Sequence, residues 1–216
     1  MNVEAARAQM LGQQLRAWNV LDQRVLDVVR QVRRERFVPE AYRDLAFADS
    51  EIPLAHGQRM MTPSVEGRLL QALDLDPADT VLELGTGSGF VTACLAALAG
   101  RVVSVDIFPE FTARAAGKLQ RDNIRNVELR TADGLALDAD EQFDAVVVTG
   151  SVPELDDRFA GLLRPGGRLF VVVGREPVMD ALLITVNRDG EFSRESLFET
   201  VVAPLVNAER PEPFVL

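Results

Sequence analysis

The stretch from Thr80 to Ala99 constrains the fold of this chain more strongly than any other. It opens with a short apolar run typical of a buried strand and then passes through three glycines at alternate positions. It resumes as an alanine-rich apolar run that predicts a helix from Phe90. This order predicts the first half of a nucleotide-binding βαβ unit, because glycine lets a ligand approach the backbone and a helix start presents unpaired N–H groups.

The spacing of the glycines indicates which nucleotide is bound. The dinucleotide fingerprint G-x-G-x-x-G, counted from Gly85, would need its third glycine where the chain has Phe90. The sequence has instead Glu83-x-Gly85-x-Gly87-x-Gly89, with an acidic residue two positions before the first glycine. This pattern resembles the first motif of the S-adenosylmethionine (AdoMet) methyltransferases, which implies AdoMet as the cofactor and S-adenosylhomocysteine as its product.

Two acidic residues further along the chain support this interpretation. Asp106 lies near the end of the run Arg101–Ile107, about 20 residues past the glycines, where a carboxylate can accept hydrogen bonds from ribose hydroxyls. Asp133 and Gly134 follow a third apolar run, where an Asp can accept from the adenine amino group. A glycine turn with a purely structural role is the alternative. The predicted cofactor-binding residues are Glu83, Gly85, Thr86, Gly87, Ser88, Gly89, Asp106, Ile107, Asp133, Gly134 and Thr149.

Length and composition exclude several classes of protein. The chain has 216 residues, enough for one well-buried α/β domain with an appendage. It has no apolar run of about 18 residues, no secretory pattern and one cysteine, Cys94, so we expect a cytoplasmic protein without a membrane partner, disulfide or zinc cluster. The formal net charge is −10. This acidic balance disfavours nucleic acid as a partner, because phosphate binding depends on Lys and Arg.

The periodicity of the chain predicts two further parts around the glycine motif. Residues 3–18 and 23–33 have the apolar stripes of amphipathic helices, and an irregular loop at 45–63 leads to a helix that Thr62 caps. After the motif, strands and helices alternate as far as Val173, including a predicted helix at 154–163. A hairpin turn then joins the predicted strands 182–187 and 192–198.

These elements predict a doubly wound, mostly parallel Rossmann-like α/β sheet with a C-terminal antiparallel hairpin and an N-terminal helical cap. Residues 1–62 are expected to form the cap and a substrate-side loop. Residues 63–216 are expected to form the AdoMet-binding α/β domain, with both parts making one structural unit.

Several segments together resemble the protein-L-isoaspartate O-methyltransferase family. The resemblance implies binding of AdoMet and methylation of the side-chain carboxylate of isoaspartyl residues in damaged proteins or peptides. It implies substrate contacts by Gly57, Gln58, Met60 and Met61. The segments that carry it are Arg34-Glu35-Arg36-Phe37-Val38-Pro39, Asp49-x-x-Ile52-Pro53-Leu54-x-His56-Gly57-Gln58, Glu83 to Gly89, Asp133-Gly134 and Pro204-Leu205.

The chain departs from this family on the acceptor side. After the Gly-Gln pair the family usually reads Thr-Ile-Ser-Gln-Pro, whereas this chain reads Arg59-Met60-Met61-Thr62-Pro63. Met61 therefore stands at the position of the active-site serine, and a thioether cannot donate a hydrogen bond to a carboxylate. Thr62 is the candidate catalytic hydroxyl, and its alternative role is that of a helix N-cap. His56 is a possible base, with a structural or solvent-exposed role as the alternative.

Two functions from different classes follow. The first is an AdoMet-dependent methyltransferase that acts on protein carboxylates. The second, which Met61 motivates, is an AdoMet-binding homologue without isoaspartyl activity, with a regulatory role or another acceptor. A small-molecule or nucleic-acid methyltransferase is a third possibility.

Overall fold

The computed structural model describes residues 2–137, 141–156, 158–187 and 189–208. The helices begin and end where short polar side chains and prolines predict. Asp22 and Thr62 both accept a hydrogen bond at the N-terminus of a helix, so these predicted N-caps are confirmed. The α-helices in the described ranges are α1 (Val3–Gln9), α2 (Gln23–Gln31), α3 (Pro63–Leu73), α4 (Phe90–Leu98), α5 (Pro109–Arg121) and α6 (Arg158–Gly161). The π-helical turn Met10–Leu15 extends α1.

The strands form a two-stranded hairpin and one large sheet. The hairpin consists of β1 (Ile52–Pro53) and β2 (Arg59–Met60). The sheet has seven strands in the order β5-β4-β3-β6-β7-β8-β9. These strands are β3 (Thr80–Leu84), β4 (Arg101–Asp106), β5 (Val127–Thr131), β6 (Phe143–Val152), β7 (Leu163–Arg175), β8 (Val178–Val186) and β9 (Phe192–Thr200).

The sheet is parallel in its first five strands and antiparallel in its last two. β5, β4, β3, β6 and β7 pair in parallel, then β8 pairs antiparallel with β7 and β9 pairs antiparallel with β8. The mostly parallel sheet and the C-terminal hairpin are therefore confirmed. β6 reads as a nearly continuous apolar run because both faces of this central strand are covered.

The apolar residues pack into one cluster on each face of the sheet. One cluster joins the N-terminal helices, α3 and α4 to residues such as Val147 and Phe170 on the sheet. The other joins the opposite side chains of the same strands to Phe159 and Leu162 around α6. Helices on both faces give the doubly wound architecture that the sequence predicts.

The predicted helix at 154–163 is wrong in extent. Among the described residues of this range only Arg158–Gly161 is helical, and Leu163 already begins β7 by pairing with Phe143. The pairing then resumes between Ala145 and Arg168, so residues 164–167 form an irregularity inside the strand. The Pro165-Gly166-Gly167 cluster therefore lies within β7 as a register shift against β6.

Candidate active site

A cleft opens at the carboxyl ends of β3, β4 and β6. The strand order reverses there, because β4 and β5 lie on one side of β3 while β6 and β7 lie on the other. Ligands of open α/β sheets bind at such a switch point. The cleft holds about 930 Å³ of space, its open mouth included.

Most of the residues that the sequence predicts lie together in this cleft. Every predicted cofactor-binding residue except Gly89 lines it, and so do Gln58, Met60 and Met61 on the predicted substrate side. Gly57 and Thr62 are absent from the lining. Gly89 instead begins α4 with a φ of 82°, and a Cβ atom there would press on Ala115 of α5.

Two side chains, those of Thr149 and Lys118, hold the glycine loop. Gly85 has a φ of 104°, a backbone conformation that glycine adopts readily, and a Cβ atom there would collide with the hydroxyl of Thr149. That hydroxyl donates to the carbonyl oxygens of Leu84 at 2.9 Å and Gly85 at 2.6 Å. The ammonium of Lys118 donates to the carbonyl oxygen of Ser88 at 2.8 Å. Thr149 and Lys118 thus fix the backbone of the loop, and the hydroxyl of Thr149 occupies the place that a side chain at position 85 would need.

Glu83 is a fully buried acid at the base of the cleft. Its Oε2 accepts from the hydroxyls of Thr92 at 2.5 Å and Ser104 at 2.6 Å. Its Oε1 is buried and has no hydrogen-bond partner among the described residues. Burial raises the pKa of Glu83 to about 8. The carboxyl group therefore keeps its proton at neutral pH.

Asp106, at the end of β4, connects the glycine loop to the cleft. Its Oδ2 accepts from the amide of Gly87 at 2.8 Å and its Oδ1 accepts from the amide of Phe108 at 2.9 Å. Burial raises the pKa of Asp106, and these two amides act in the opposite direction. A carboxylate held in this way keeps unused lone pairs that face the cleft for hydroxyl donors.

Asp133 and Gly134 close the cleft beyond β5. The Oδ1 of Asp133 accepts from the amide of Leu135, and its Oδ2 accepts from the side-chain amide of Asn207, both at 2.9 Å. A Cβ atom at Gly134 would press on Leu84 at 3.2 Å. Both residues line the cleft as predicted. Asn207 was not predicted, because a single amide in an irregular segment carries no sequence signal.

The acceptor side of the cleft is formed by the β1–β2 hairpin and the residues after it. Met60 and Met61 are buried, with 4% and 5% of their surface exposed. Leu54 of the same hairpin lies over Gly87, where a Cβ atom would be 3.5 Å from the leucine side chain. The hairpin therefore contacts the glycine loop, and the thioethers of Met60 and Met61 lie on this side of the cleft.

Thr62 acts as a helix cap. Its hydroxyl oxygen accepts from the amide of Val65 at 3.4 Å and lies 3.0 Å from the hydroxyl of Ser64. It lines a smaller neighbouring pocket, which shares Met61 with the cleft. The structure thus shows the N-cap role that we named as the alternative.

His56 stands at the tip of the hairpin, outside the cleft lining. Its ring stacks on Phe108 with the centroids 4.1 Å apart, and its Nε2 lies 3.0 Å from Oε2 of Glu110. These contacts fasten the tip of the hairpin to the start of α5. They match the structural role that was the alternative to catalysis.

A buried ion pair supports the residues behind the acceptor side. Arg34 donates to both oxygens of Glu66 and to the carbonyl oxygen of Met61 at 2.9 Å. Glu66 is buried on α3, and Arg34 comes from the N-terminal cap. The cap therefore positions the backbone of Met61 directly.

The last described segment completes the wall of the cleft. Ser151 at the end of β6 exchanges backbone hydrogen bonds with Ala203 and Leu205, each at 2.9 Å. This pairing places four apolar residues in the lining: Val202, Ala203, Leu205 and Val206. The sequence predicted nothing of this contact, because the pairing joins positions about fifty residues apart with no periodic signal.

The fold and the cleft together define a class of protein. A parallel sheet with its switch point above a glycine loop, a buried acid below the loop and further acids after β4 and β5 is the arrangement of a Rossmann-like methyltransferase.

Comparison with known proteins identifies the family within this class. The chain belongs to the protein-L-isoaspartate(D-aspartate) O-methyltransferase family, whose model matches residues 6–210. The protein-L-isoaspartate O-methyltransferase of Rhodopseudomonas palustris is 36% identical over 209 residues, covering 94% of this chain and 96% of that protein. The protein of the same name from Anaeromyxobacter dehalogenans is 38% identical over 205 residues, covering 91% of this chain and 98% of that protein.

Solved structures agree on the fold. A Plasmodium falciparum PCMT protein in complex with S-adenosyl-L-homocysteine superposes with a TM-score of 0.79, at 20% identity, over 95% of this chain and 98% of that one. A second protein-L-isoaspartate O-methyltransferase gives a TM-score of 0.77 at 22% identity, over 92% of this chain and 65% of that one. The similarity extends through the N-terminal cap as well as the sheet.

Proposed function

We propose that the protein transfers a methyl group from AdoMet to the free carboxylate of isoaspartyl residues in damaged proteins or peptides. The observation that carries this proposal is the convergence of Glu83, the glycine loop, Asp106 and Asp133 in one cleft, closed by the β1–β2 hairpin and by Met61, which follows it. Membership of the family supports the choice of acceptor. S-adenosylhomocysteine is the product of the cofactor.

The residues of the cleft fit AdoMet in charge and in space. Gly85 and Gly87 line the cleft without side chains, and the carboxylates of Asp106 and Asp133 in the lining suit a cationic ligand that donates hydrogen bonds. In this proposal Asp106 accepts from the ribose hydroxyls and Asp133 from the adenine amino group. When bound, AdoMet supplies a sulfonium-activated methyl group that a nucleophilic oxygen can accept while the sulfur keeps the bonding electron pair.

The chain's own contribution to the reaction is binding and exclusion of water. A carboxylate acceptor has a pKa near about 4 and is ionised at neutral pH, so no general base is required. The buried side chains of Met60 and Met61, together with Leu54 over the glycine loop, keep water from the reacting groups. Alignment of the acceptor oxygen within the cleft then supplies most of the rate enhancement.

The proposed partner is a protein or peptide that carries isoaspartyl residues, and no nucleic acid or membrane takes part. Among the described residues, no helix is long and apolar enough to cross a membrane. A cytoplasmic location belongs to the same proposal. We also propose that residues 1–62 form the acceptor side and that residues 63–216 bind the cofactor.

Methylation of a matched peptide pair tests the proposal. One peptide carries an isoaspartyl residue, and its twin has the same sequence with a normal aspartyl residue. We expect AdoMet-dependent formation of a base-labile methyl ester on the isoaspartyl peptide alone. No ester on either peptide, with AdoMet binding intact, would overturn the acceptor assignment.

Met61 supports a second candidate function, an AdoMet-binding homologue that lacks isoaspartyl activity. The side chain is 5% exposed in the cleft lining and has no hydrogen-bond donor. The variant Met61→Ser separates the two functions when it is assayed on the same peptide pair. A large gain in ester formation favours the second function, whereas unchanged activity favours the first.

A further inference from the structure

The charges that line the cleft are nearly all negative. Among the described residues in the lining, the acidic ones are Glu51, Glu66, Glu83, Asp106 and Asp133, and the only cationic one is Arg59. Arg34 neutralises Glu66, and burial raises the pKa of Glu83 to about 8, so the negative charge at neutral pH comes from Glu51, Asp106 and Asp133. Such a lining attracts a positively charged ligand and repels a carboxylate. Because the proposed acceptor is itself a carboxylate, its binding requires a local positive charge or a set of hydrogen-bond donors.

Side-chain donors are scarce on the acceptor side of the cleft. Met60 and Met61 offer thioethers, which do not donate, and the side chains from Val202 to Val206 in the lining are apolar. The side-chain amide of Gln58 donates to the carbonyl oxygen of His56 at 3.4 Å. Arg59 therefore provides the one charged donor on this side in the part of the chain that the structure describes.

The present partner of Arg59 holds it weakly. One nitrogen of the guanidinium lies 3.3 Å from Oε2 of Glu51, and the two side chains are 55% and 30% exposed. Ion pairs at such exposure contribute at most about 1 kcal/mol. The guanidinium has five N–H donors, so most of its hydrogen-bonding capacity is unused in this contact.

We propose that Arg59 binds the carboxylate of the acceptor, exchanging Glu51 for the substrate. This assignment rests on the proposed function, and it supplies the donor that Met61 lacks. A guanidinium recognises a carboxylate with paired, charge-assisted hydrogen bonds, and it provides the positive charge that the acidic lining otherwise withholds. Arg59 is an acceptor-binding residue in this account and takes no proton.

A purely structural role for the Arg59–Glu51 pair makes a different prediction. β1 and β2 are joined by Pro53 opposite Arg59 and Ile52 opposite Met60, so the ion pair could simply clamp the hairpin. If it were a clamp, loss of either partner would weaken the hairpin in the same way. If Arg59 binds the acceptor, loss of Glu51 frees Arg59, and loss of Arg59 removes the binding group.

The test compares Arg59→Gln, Arg59→Lys and Glu51→Gln. Arg30→Gln is the matched control, because Arg30 forms an exposed single-contact pair with Asp27 outside the cleft. We expect Arg59→Gln to raise the KM for the isoaspartyl peptide by about tenfold or more, the cost of a lost charge-assisted hydrogen bond. Arg59→Lys should recover part of this loss, Glu51→Gln should lower KM, and the control should leave it unchanged.

Affinity measurements separate acceptor binding from catalysis. The protein loaded with S-adenosylhomocysteine is titrated with the isoaspartyl peptide and with its methyl ester, which lacks the negative charge. Wild type should prefer the free carboxylate, and Arg59→Gln should lose that preference. The affinity of all variants for S-adenosylhomocysteine should agree within about twofold, since Arg59 belongs to the acceptor side.

Four results are decisive. A KM for Arg59→Gln within about twofold of wild type would overturn the role of Arg59 and leave the proposed function standing. A KM that rises as much for Glu51→Gln as for Arg59→Gln would do the same. Arg59-dependent binding of the peptide without methylation would sustain the role of Arg59 and overturn the proposed reaction. A wild-type protein that neither binds nor methylates the peptide would overturn both.

Discussion

At the scale of single residues, the carboxyl group of Glu83 has the most unusual surroundings in the cleft. One oxygen accepts from two hydroxyls, the other is buried without a partner among the described residues, and burial raises the pKa to about 8. In the unfolded chain the pKa of the same group is about 4.3. Between these two values the native protein keeps a proton that the unfolded chain has released.

This difference predicts a pH dependence of stability. Because the native state binds the extra proton, the Glu83 contribution to the free energy of unfolding falls as pH rises from about 5 to about 8, by up to about 1.4 kcal/mol per pH unit. The side chain of the Glu83→Gln variant cannot titrate. Its free energy of unfolding, measured with urea at pH 5, 6, 7 and 8, should therefore change less with pH than that of wild type. The exposed Glu195→Gln is the control. Parallel profiles for wild type and Glu83→Gln would contradict this role.

Asp106 gives the second prediction at this scale. Its carboxylate lines the cleft and fastens Gly87, so Asp106→Ala should weaken AdoMet binding by about 1.5–3 kcal/mol. Calorimetric titration measures this loss, with Asp27→Ala as the control, because Asp27 is a partly exposed residue of α2 outside the cleft. An unchanged affinity would mean that Asp106 does not contact the ligand.

The sequence predicted these acids but missed the groups that serve them. Glu83, Asp106 and Asp133 were predictable because each has a defined position relative to a strand and a glycine motif. Ser104 and Asn207 were not, because one hydroxyl in a strand or one amide in a loop has no pattern of its own. Their contacts with Glu83 and Asp133 depend on how distant elements pack.

At the scale of elements, the loop between β3 and α4 is the part that tolerates least change. Gly85 combines a φ of 104° with a position where a Cβ atom would meet the hydroxyl of Thr149. The sequence identified this loop because three alternating glycines are rare outside a turn that a ligand approaches. It did not identify the β1–β2 hairpin, because two-residue strands are too short for a periodic signal.

Gly85→Ala should therefore destabilise the protein and abolish cofactor binding. We expect a loss of about 2 kcal/mol or more, from the combined backbone strain and clash. Gly117→Ala is the matched control: Gly117 is an exposed residue of helix α5 with no atom within 4 Å of a new Cβ, so the change should stabilise by about 0.5–1 kcal/mol. Thermal unfolding with and without AdoMet measures both effects. Equal stability of the two variants would contradict the account.

At the scale of the whole molecule, the N-terminal cap and the sheet share one core. Met10 and Leu15 of the cap belong to the same apolar cluster as Phe170 of β7. Trp18 packs edge-on against Phe198 of β9 with the ring centroids 6.0 Å apart. The apolar stripes of the sequence predicted the cap. The contact between Trp18 and Phe198 was not predictable, because no local pattern specifies the position of β9 in the sheet.

This shared core predicts a single cooperative unfolding transition. Trp18 is the only tryptophan of the chain, so its fluorescence reports on the cap, while far-ultraviolet circular dichroism reports on the sheet. We expect the two signals to change at the same urea concentration. Leu15→Ala should shift both midpoints down together, at a cost of about 2–5 kcal/mol. A fluorescence transition that precedes the loss of the sheet signal would show that the cap unfolds independently.

A crystal structure of the protein with S-adenosylhomocysteine tests the central claim most directly. The account predicts the nucleoside in the cleft at the ends of β3, β4 and β6, with its ribose hydroxyls at Asp106. A nucleoside bound elsewhere, or a cleft that stays closed by side chains at saturating ligand, would contradict it.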